Sequence, residues 1–232
     1  MRISSVTKRG AFTDTIRFGD YLGNNLPILY PGWSASTGNP LPNTTTTQWK
    51  PSQDNQTLFY GRKVARLNMF GNVRQDWILA PAYKIQQNAF LNFDVAVTES
   101  FDTINDPTGG FAGTDDKLRV MVSTDCGSSW TEVYAVKAGD QVDRNFKRFK
   151  ASLANYAGQE ARFAFWGTTF PVANSNDYDV LLDNIFIETV APKDAGVQAV
   201  TAPAVSCGLG NAVPVTVTLK NYGSTPVGNF PV

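Results

Sequence analysis

Residues 118–133, LRVMVSTDCGSSWTEV, constrain the fold more than any other stretch of the 232-residue chain. Leu118, Val120 and Val122 recur at every second position, the spacing of a strand with one buried face. STDCGSS cannot continue that strand. Asp125 and the serines compete for local backbone hydrogen bonds, and Gly127 reaches positive φ without steric cost. Trp130 then opens a second strand. The pattern predicts an antiparallel hairpin, and a lone hairpin is not stable in water, so a larger sheet must surround it.

Further strands are predicted at residues 61–70 (GRKVARLNMF), 76–81, 89–98 (AFLNFDVAVT), 148–153, 160–167 (EARFAFWG) and 179–188 (DVLLDNIFIE), with a weaker opening strand within residues 4–18. Eight or nine strands in about 130 residues have the cadence of a two-sheet sandwich or jelly roll. The expected fold class is all-β, with Val120, Val122, Trp130, Phe163, Phe165, Ile185 and Ile187 facing the core. Residues 24–55, dense in Pro, Asn and Thr, read as a long irregular surface segment in which Trp33 and Trp49 act as plugs. After a boundary at residues 190–193, DAGVQAV and AVPVTVTLKNYGSTPV are strand-like in a new rhythm. The expected division is a jelly-roll domain over residues 1–190 and the opening strands of an incomplete second domain over 194–232, with the chain part of a longer protein.

The chain contains no histidine. Ser-His-Asp and Cys-His nucleophilic chemistry and His-ligated zinc are therefore excluded, while carboxylate-only catalysis is not. Twenty basic residues balance twenty acidic ones, which leaves no electrostatic footprint for nucleic acid or anionic membrane. No apolar run approaches the roughly 18 residues of a membrane span, and residues 1–20 lack the apolar core of a signal peptide, which places any targeting signal outside this sequence. The cysteines, Cys126 and Cys207, lack metal-ligand spacing. They form either one disulfide, locking the two units together, or two separate thiols.

A series of short motifs in order resembles the cleaved-adhesin, MAM-like and "choice-of-anchor" β-sandwich modules of Bacteroidota surface proteins. It comprises Pro31-Gly32-Trp33, DWILAP at 76–81, LNFDVA at 91–96, the STDCGSSW hairpin at 123–130, LANYAGQ at 153–159 and LDNI at 182–185. Residues 194–232 resemble the start of the immunoglobulin-like module that follows such sandwiches. The resemblance implies a non-catalytic extracellular module for adhesion or carbohydrate binding, exported by the type IX route and displayed at the cell surface. Its partners would be surface glycans or proteins and further domains of the same polypeptide. The insertion between Glu99 and Lys117, ESFDTINDPTGGFAGTDDK, departs from the family pattern.

Asp183 and Asn184 interrupt the apolar run LLDNIFI, and adjacent strand residues point to opposite faces, so one of them must be covered. A buried carboxylate persists when hydrogen-bonded or bound to a cation. The resemblance implies structural Ca²⁺ here, with Asp20 as partner; the alternative is an aspartate that caps backbone amides without metal. Asp102, Asp106, Asp115 and Asp116 in the insertion could surround a second calcium, although they lack EF-hand spacing and a solvated acidic loop also accounts for them. Trp77, Trp130 and Trp166 are expected to fill the sandwich core, and Trp49 is the nominee for a surface ligand contact. Thr15 and Thr103 lie in Asp-Thr-Ile triplets that resemble the O-glycosylation sequons of these bacteria. Besides the adhesion or glycan-binding module, two alternatives stand: an architectural stalk or filament segment without a specific ligand, and an accessory domain of a secreted hydrolase.

Overall fold

The computed structural model describes residues 11–12, 32–44, 46–51, 64–71, 73–100, 110–112, 114–172, 174–191, 193–202, 213–223 and 225–228. Asp20, Asp102, Asp106, Thr15, Thr103 and Cys207 lie outside them. Among the described residues there is no α-helix, only a short 3-10 turn at Ala154–Tyr156. The strands are β1 (Ala11–Phe12), β2 (Ser34–Thr37), β3 (Lys50–Pro51), β4 (Ala65–Phe70), β5 (Gln75–Lys84), β6 (Ala89–Glu99), β7 (Lys117–Ser123), β8 (Thr131–Lys137), β9 (Lys147–Ser152), β10 (Glu160–Thr168), β11 (Asp177–Thr189), β12 (Ala195–Ala202) and β13 (Thr216–Asn221).

Two antiparallel sheets form a jelly-roll sandwich. One runs β3-β4-β11-β6-β9 with β1 also paired to β11; the other runs β2-β5-β10-β7-β8. Along β1 to β11 only β3–β4 and β7–β8 are consecutive within one sheet, and every other step changes sheet. Each sheet therefore interleaves strands distant in sequence. The core follows period-2 alternation: Leu91, Phe93, Val95 and Val97 on β6, Leu118, Val120 and Val122 on β7, and Phe163 and Phe165 on β10 are all buried in one cluster. Phe93 stands edge-on to Phe165 at 5.2 Å and stacks on Phe149 at 5.8 Å.

Gly167 on β10 lets the sheets close. A Cβ there would lie 2.1 Å from Cδ2 of Leu67, a fully buried residue on β4 of the facing sheet. Gly167→Ala is expected to cost about 1–3 kcal/mol, because overpacking a closed core forces its neighbours off their rotamers. Urea unfolding beside the wild type checks this, and an unchanged midpoint would mean that Leu67 has room to move.

The structure differs from expectation in the 24–55 segment. Its described part contains β2, paired to β5 through Ser34↔Leu79 to Thr37↔Asp76, and β3, paired to β4. The threonines explain why the sequence looked irregular. Thr44 accepts from the Thr37 amide through Oγ1 at 3.1 Å and donates its own amide to Ser36 Oγ at 3.1 Å, so side chains fold the run back on itself. A second difference concerns Asp183 and Asn184, which do not point to opposite faces. The register of β11 against β6 shifts between Asp183 and Phe186, with Asn184 at φ +50°. That bulge changes the inward parity from Val180 and Leu182 to Ile185 and Ile187, leaving Asp183 and Asn184 both on the outer face.

Strands β12 and β13 pair with each other. Val197 opposite Leu219 and Val200 opposite Val217 make one aliphatic face, whose members are 41–63% exposed.

Candidate functional site

Alternation that sends Phe163 and Phe165 inward sends Ala164 and Trp166 outward, and on β5 it sends Trp77 and Leu79 outward while Ile78 and Ala80 face the core. Trp77, Leu79, Met121, Ala164 and Trp166 accordingly form a separate apolar cluster on the outer face of the five-stranded sheet. This corrects the expectation that Trp77, Trp130 and Trp166 fill the space between the sheets. Trp77 and Trp166 occupy paired positions, and their indoles stack at 4.5 Å with a 14° interplanar angle. Trp130 tilts against Trp77 at 5.6 Å, and Phe170 against Trp166 at 5.9 Å. Four rings thus run in contact across the sheet. Trp77 is fully buried and Trp166 7% exposed, whereas the terminal rings, Trp130 and Phe170, are half-buried.

The hairpin holds Trp130 in place. Asp125 Oδ1 accepts from Ser123 Oγ at 2.8 Å and from the Ser129 amide at 2.9 Å, and Oδ2 accepts from Ser129 Oγ at 2.6 Å. Ser123 Oγ also accepts from the Gly127 amide at 2.8 Å. Cys126 at φ +61° and Gly127 at φ +97° complete the reversal, and Trp130 Nε1 donates to the Gly127 carbonyl at 3.1 Å. Hydrogen bonds from the Ser129 side chain, the Ser129 amide and the Ser123 side chain hold the Asp125 carboxyl down at about 2. A depressed folded-state pKa contributes stability that is present above the ordinary carboxylate value and is lost as pH falls through the folded one. The hairpin is therefore expected to stay knotted from neutral pH to below pH 4 and to loosen near pH 2. Carbon-detected NMR titration of Asp125 checks this, and an unshifted midpoint near 4 would contradict it.

Polar groups flank the aromatic run. Arg119 lies over the Trp166 ring at 5.4 Å, donates through Nε to Thr168 Oγ1 at 3.2 Å and pairs with Glu132 on β8. Trp166 Nε1 is buried and meets no hydrogen-bond partner among the described residues. An apolar ring face beside a fixed guanidinium and carboxylate is suited to a ligand with one C–H face and hydroxyls on its rim.

Trp49 is not a surface contact. It is 1% exposed, belongs to the inter-sheet core and donates from Nε1 to the Asp76 carbonyl at 3.0 Å. Only the plug expected of it is observed, because β3 carries it inward. Asp76 itself accepts from the Gln48 amide at 2.6 Å and from Thr47, and burial pushes its carboxyl up.

On the outer face of the other sheet, Asp183 is fully buried and paired in register with Asp94. Asp94 is held by Arg148, with Nε at 2.6 Å and Nη2 at 2.7 Å, and Asn184 Nδ2 donates to it at 2.8 Å. Arg148 and Asn184 are both turned to Asp94. Asp20, the expected partner of Asp183, lies outside the described residues, and these contain no group of three acidic or cysteine side chains able to hold a metal.

Asp115 and Asp116 do not converge either. Asp115 accepts from the Val172 amide at 3.0 Å, whereas Asp116, 1% exposed, accepts from the Tyr178 hydroxyl at 2.8 Å and from Asn174 at 3.3 Å. Burial raises the Asp116 carboxyl, and burial together with Asp116 raises the Tyr178 hydroxyl. Both carboxylates thus have protein partners, while Asp102 and Asp106, the other two acids of the expected second calcium loop, lie outside the described residues. Cys126 is a free, exposed thiol at the hairpin tip. Cys207, the other half of the expected disulfide, lies outside the described residues.

No protein-family model matches the chain, and no curated protein resembles it in sequence. Among solved structures, the chain is similar to the K1 cleaved adhesin domain of Lys-gingipain from Porphyromonas gingivalis W83, with a TM-score of 0.50 and 14% identity over 78% of this chain and 99% of that domain. The likeness supports an adhesin-like β-sandwich fold. Weaker likenesses are to the K3 cleaved adhesin domain of the same protein (TM-score 0.47, 11% identity, 78% and 99% covered) and to the CBM22-1 xylan-binding domain of Paenibacillus barcinonensis Xyn10C (0.42, 14%, 80% and 98%). Among the described residues no helix is long and apolar enough to cross a membrane.

Proposed function

We propose that the chain is a non-catalytic extracellular module that binds surface glycans on the outer face of its five-stranded sheet. The aromatic run ending in half-buried Trp130 and Phe170, with Arg119 and Glu132 beside it, carries this proposal. A pyranose ring has an apolar C–H face that packs on such rings, and its hydroxyls pair with the flanking charges. The Lys-gingipain domain that shares the fold is named an adhesin, in agreement with such a role. Display at the cell surface after type IX export, O-glycans at Thr15 and Thr103, a following immunoglobulin-like module begun by residues 194–232, and calcium held by Asp183 with Asp20 belong to the same proposal.

A glycan array probed with and without EDTA tests the proposal. Saturable binding to a sugar class is expected, and silence in both conditions contradicts it; loss of binding or of thermal stability with EDTA alone supports the calcium. A second function, an architectural stalk segment, is favoured by the exposed aliphatic face of β12 and β13, since such faces invite pairing between chains. Self-association in sedimentation velocity, abolished by Val217→Lys, would support it.

A further inference from the structure

Resting on that glycan-binding proposal, the geometry points to a second subsite, a cleft for the terminal acidic sugar ring of a bound glycan. The cleft, of about 230 Å³, lies between the insertion before β7 and the turn after β8, and Phe111, Ala112, Lys137, Gly139, Gln141 and Val142 line it. Both walls are fixed. Phe111 is 6% exposed and stands edge-on to Tyr178 at 5.5 Å, whose hydroxyl is anchored on Asp116. Opposite, the Lys137 amide donates to Asp140 Oδ2 at 2.8 Å, the Asp140 amide returns to the Lys137 carbonyl at 3.1 Å, and the Asp143 carbonyl is tied to the Val97 amide at 2.8 Å. Gly139 at φ +94° and Gln141 at φ +51° shape the turn. A glutamine held in the left-handed region is uncommon, and such residues cluster at ligand clamps.

Size and chemistry select the ligand. The volume equals roughly eight waters at ~30 Å³ each, enough for one pyranose ring and too small for a chain. An aromatic edge, an alanine and a valine suit its C–H bonds, while the Gln141 amide can donate to and accept from hydroxyls. Among the described residues of the lining, Lys137 alone carries a formal charge, and it is positive. A carboxylate on the ring, as in a uronic acid, matches it. Location agrees with a glycan terminus: Lys137 pairs with Lys117, Lys117 pairs with Thr168, and Phe170, the last ring of the aromatic run, follows two residues later. The cleft thus lies at the end of the sheet where the run stops. One wall, Phe111 and Ala112, belongs to the insertion between Glu99 and Lys117.

The test is an NMR titration of the ¹⁵N-labelled full chain with glucuronate, glucose and acetate, following the amides of Ala112, Gly139 and Gln141, with the glycan array repeated on each variant. Saturable shifts are expected with glucuronate, at least tenfold weaker ones with glucose and none with acetate. Lys137→Gln should remove the preference for glucuronate over glucose, and Ala112→Trp, which fills the cleft, should remove both responses. Absence of saturable shifts, an acetate response equal to that of glucuronate, or wild-type glucuronate binding by Lys137→Gln would overturn the subsite. If the wild type binds array glycans and both variants bind them equally well, the cleft is wrong and glycan binding stands. If the array is silent but glucuronate shifts these amides, the outer-face proposal fails and the cleft stands.

Discussion

Replacing Trp77 with alanine is expected to lower the unfolding free energy by about 3–5 kcal/mol, as truncation of a fully buried large aromatic does. Trp77 is 0% exposed, stacks on Trp166 and supports Trp130. Its Nε1 also donates to the Gly38 carbonyl at 2.8 Å. Truncation therefore opens a cavity beside two other rings and removes the tether of Gly38, just after β2. In a domain of this size the loss corresponds to roughly 6–20 °C in Tm, at about 2–4 °C per kcal/mol. Scanning calorimetry reads it directly, and a shift below 2 °C would mean that the outer cluster adds little to the fold.

Trp130→Ala is expected to separate binding from stability. Its ring is half-buried at the end of the run, so truncation should cost about 1 kcal/mol of folding free energy, near the value of an aromatic pair. The loss in glycan affinity should be about 2 kcal/mol or roughly thirtyfold, the scale of an aromatic anchor. The knot of Ser123, Asp125 and Ser129 does not involve the indole, and the hairpin should survive. Asp125→Ala makes the converse change. It leaves Trp130 present but unpositioned, and affinity should fall even though every ring remains.

The strands β4 to β11 were legible because the alternation of apolar residues is long and unbroken in each, and because Gly, Asp and Ser mark the turns. Strand β2 was not legible: SAST carries no apolar stripe, and its place is set by pairing with β5 and by hydrogen bonds to Thr44, seven and eight residues on. The bulge at Asn184 was equally hidden, since an Asp-Asn pair inside the apolar run LLDNIFI does not say which face each side chain takes until the register against β6 is known. The outer aromatic face could have been read from parity alone. In ARFAFWGT, Phe163 and Phe165 share one face and Trp166 must take the other. Hydrophobicity alone assigns every strand tryptophan to the core and hides that signal. Trp49 misled in the opposite sense, because a Thr-rich neighbourhood suggests solvent while two residues of pairing with β4 suffice to turn the indole inward. Partners of the buried acids could not be foreseen either. Asp94 and Arg148 are 54 residues apart, and Asp116 and Tyr178 are 62 apart.

The most direct measurement is calorimetric titration of the strongest array glycan into the wild type and into Trp130→Ala/Phe170→Ala, with unfolding midpoints recorded for both. A glycan held on the outer face should bind the double variant at least thirtyfold more weakly while the variant remains folded. Equal affinity in the two proteins would contradict the assignment of that face as the binding site.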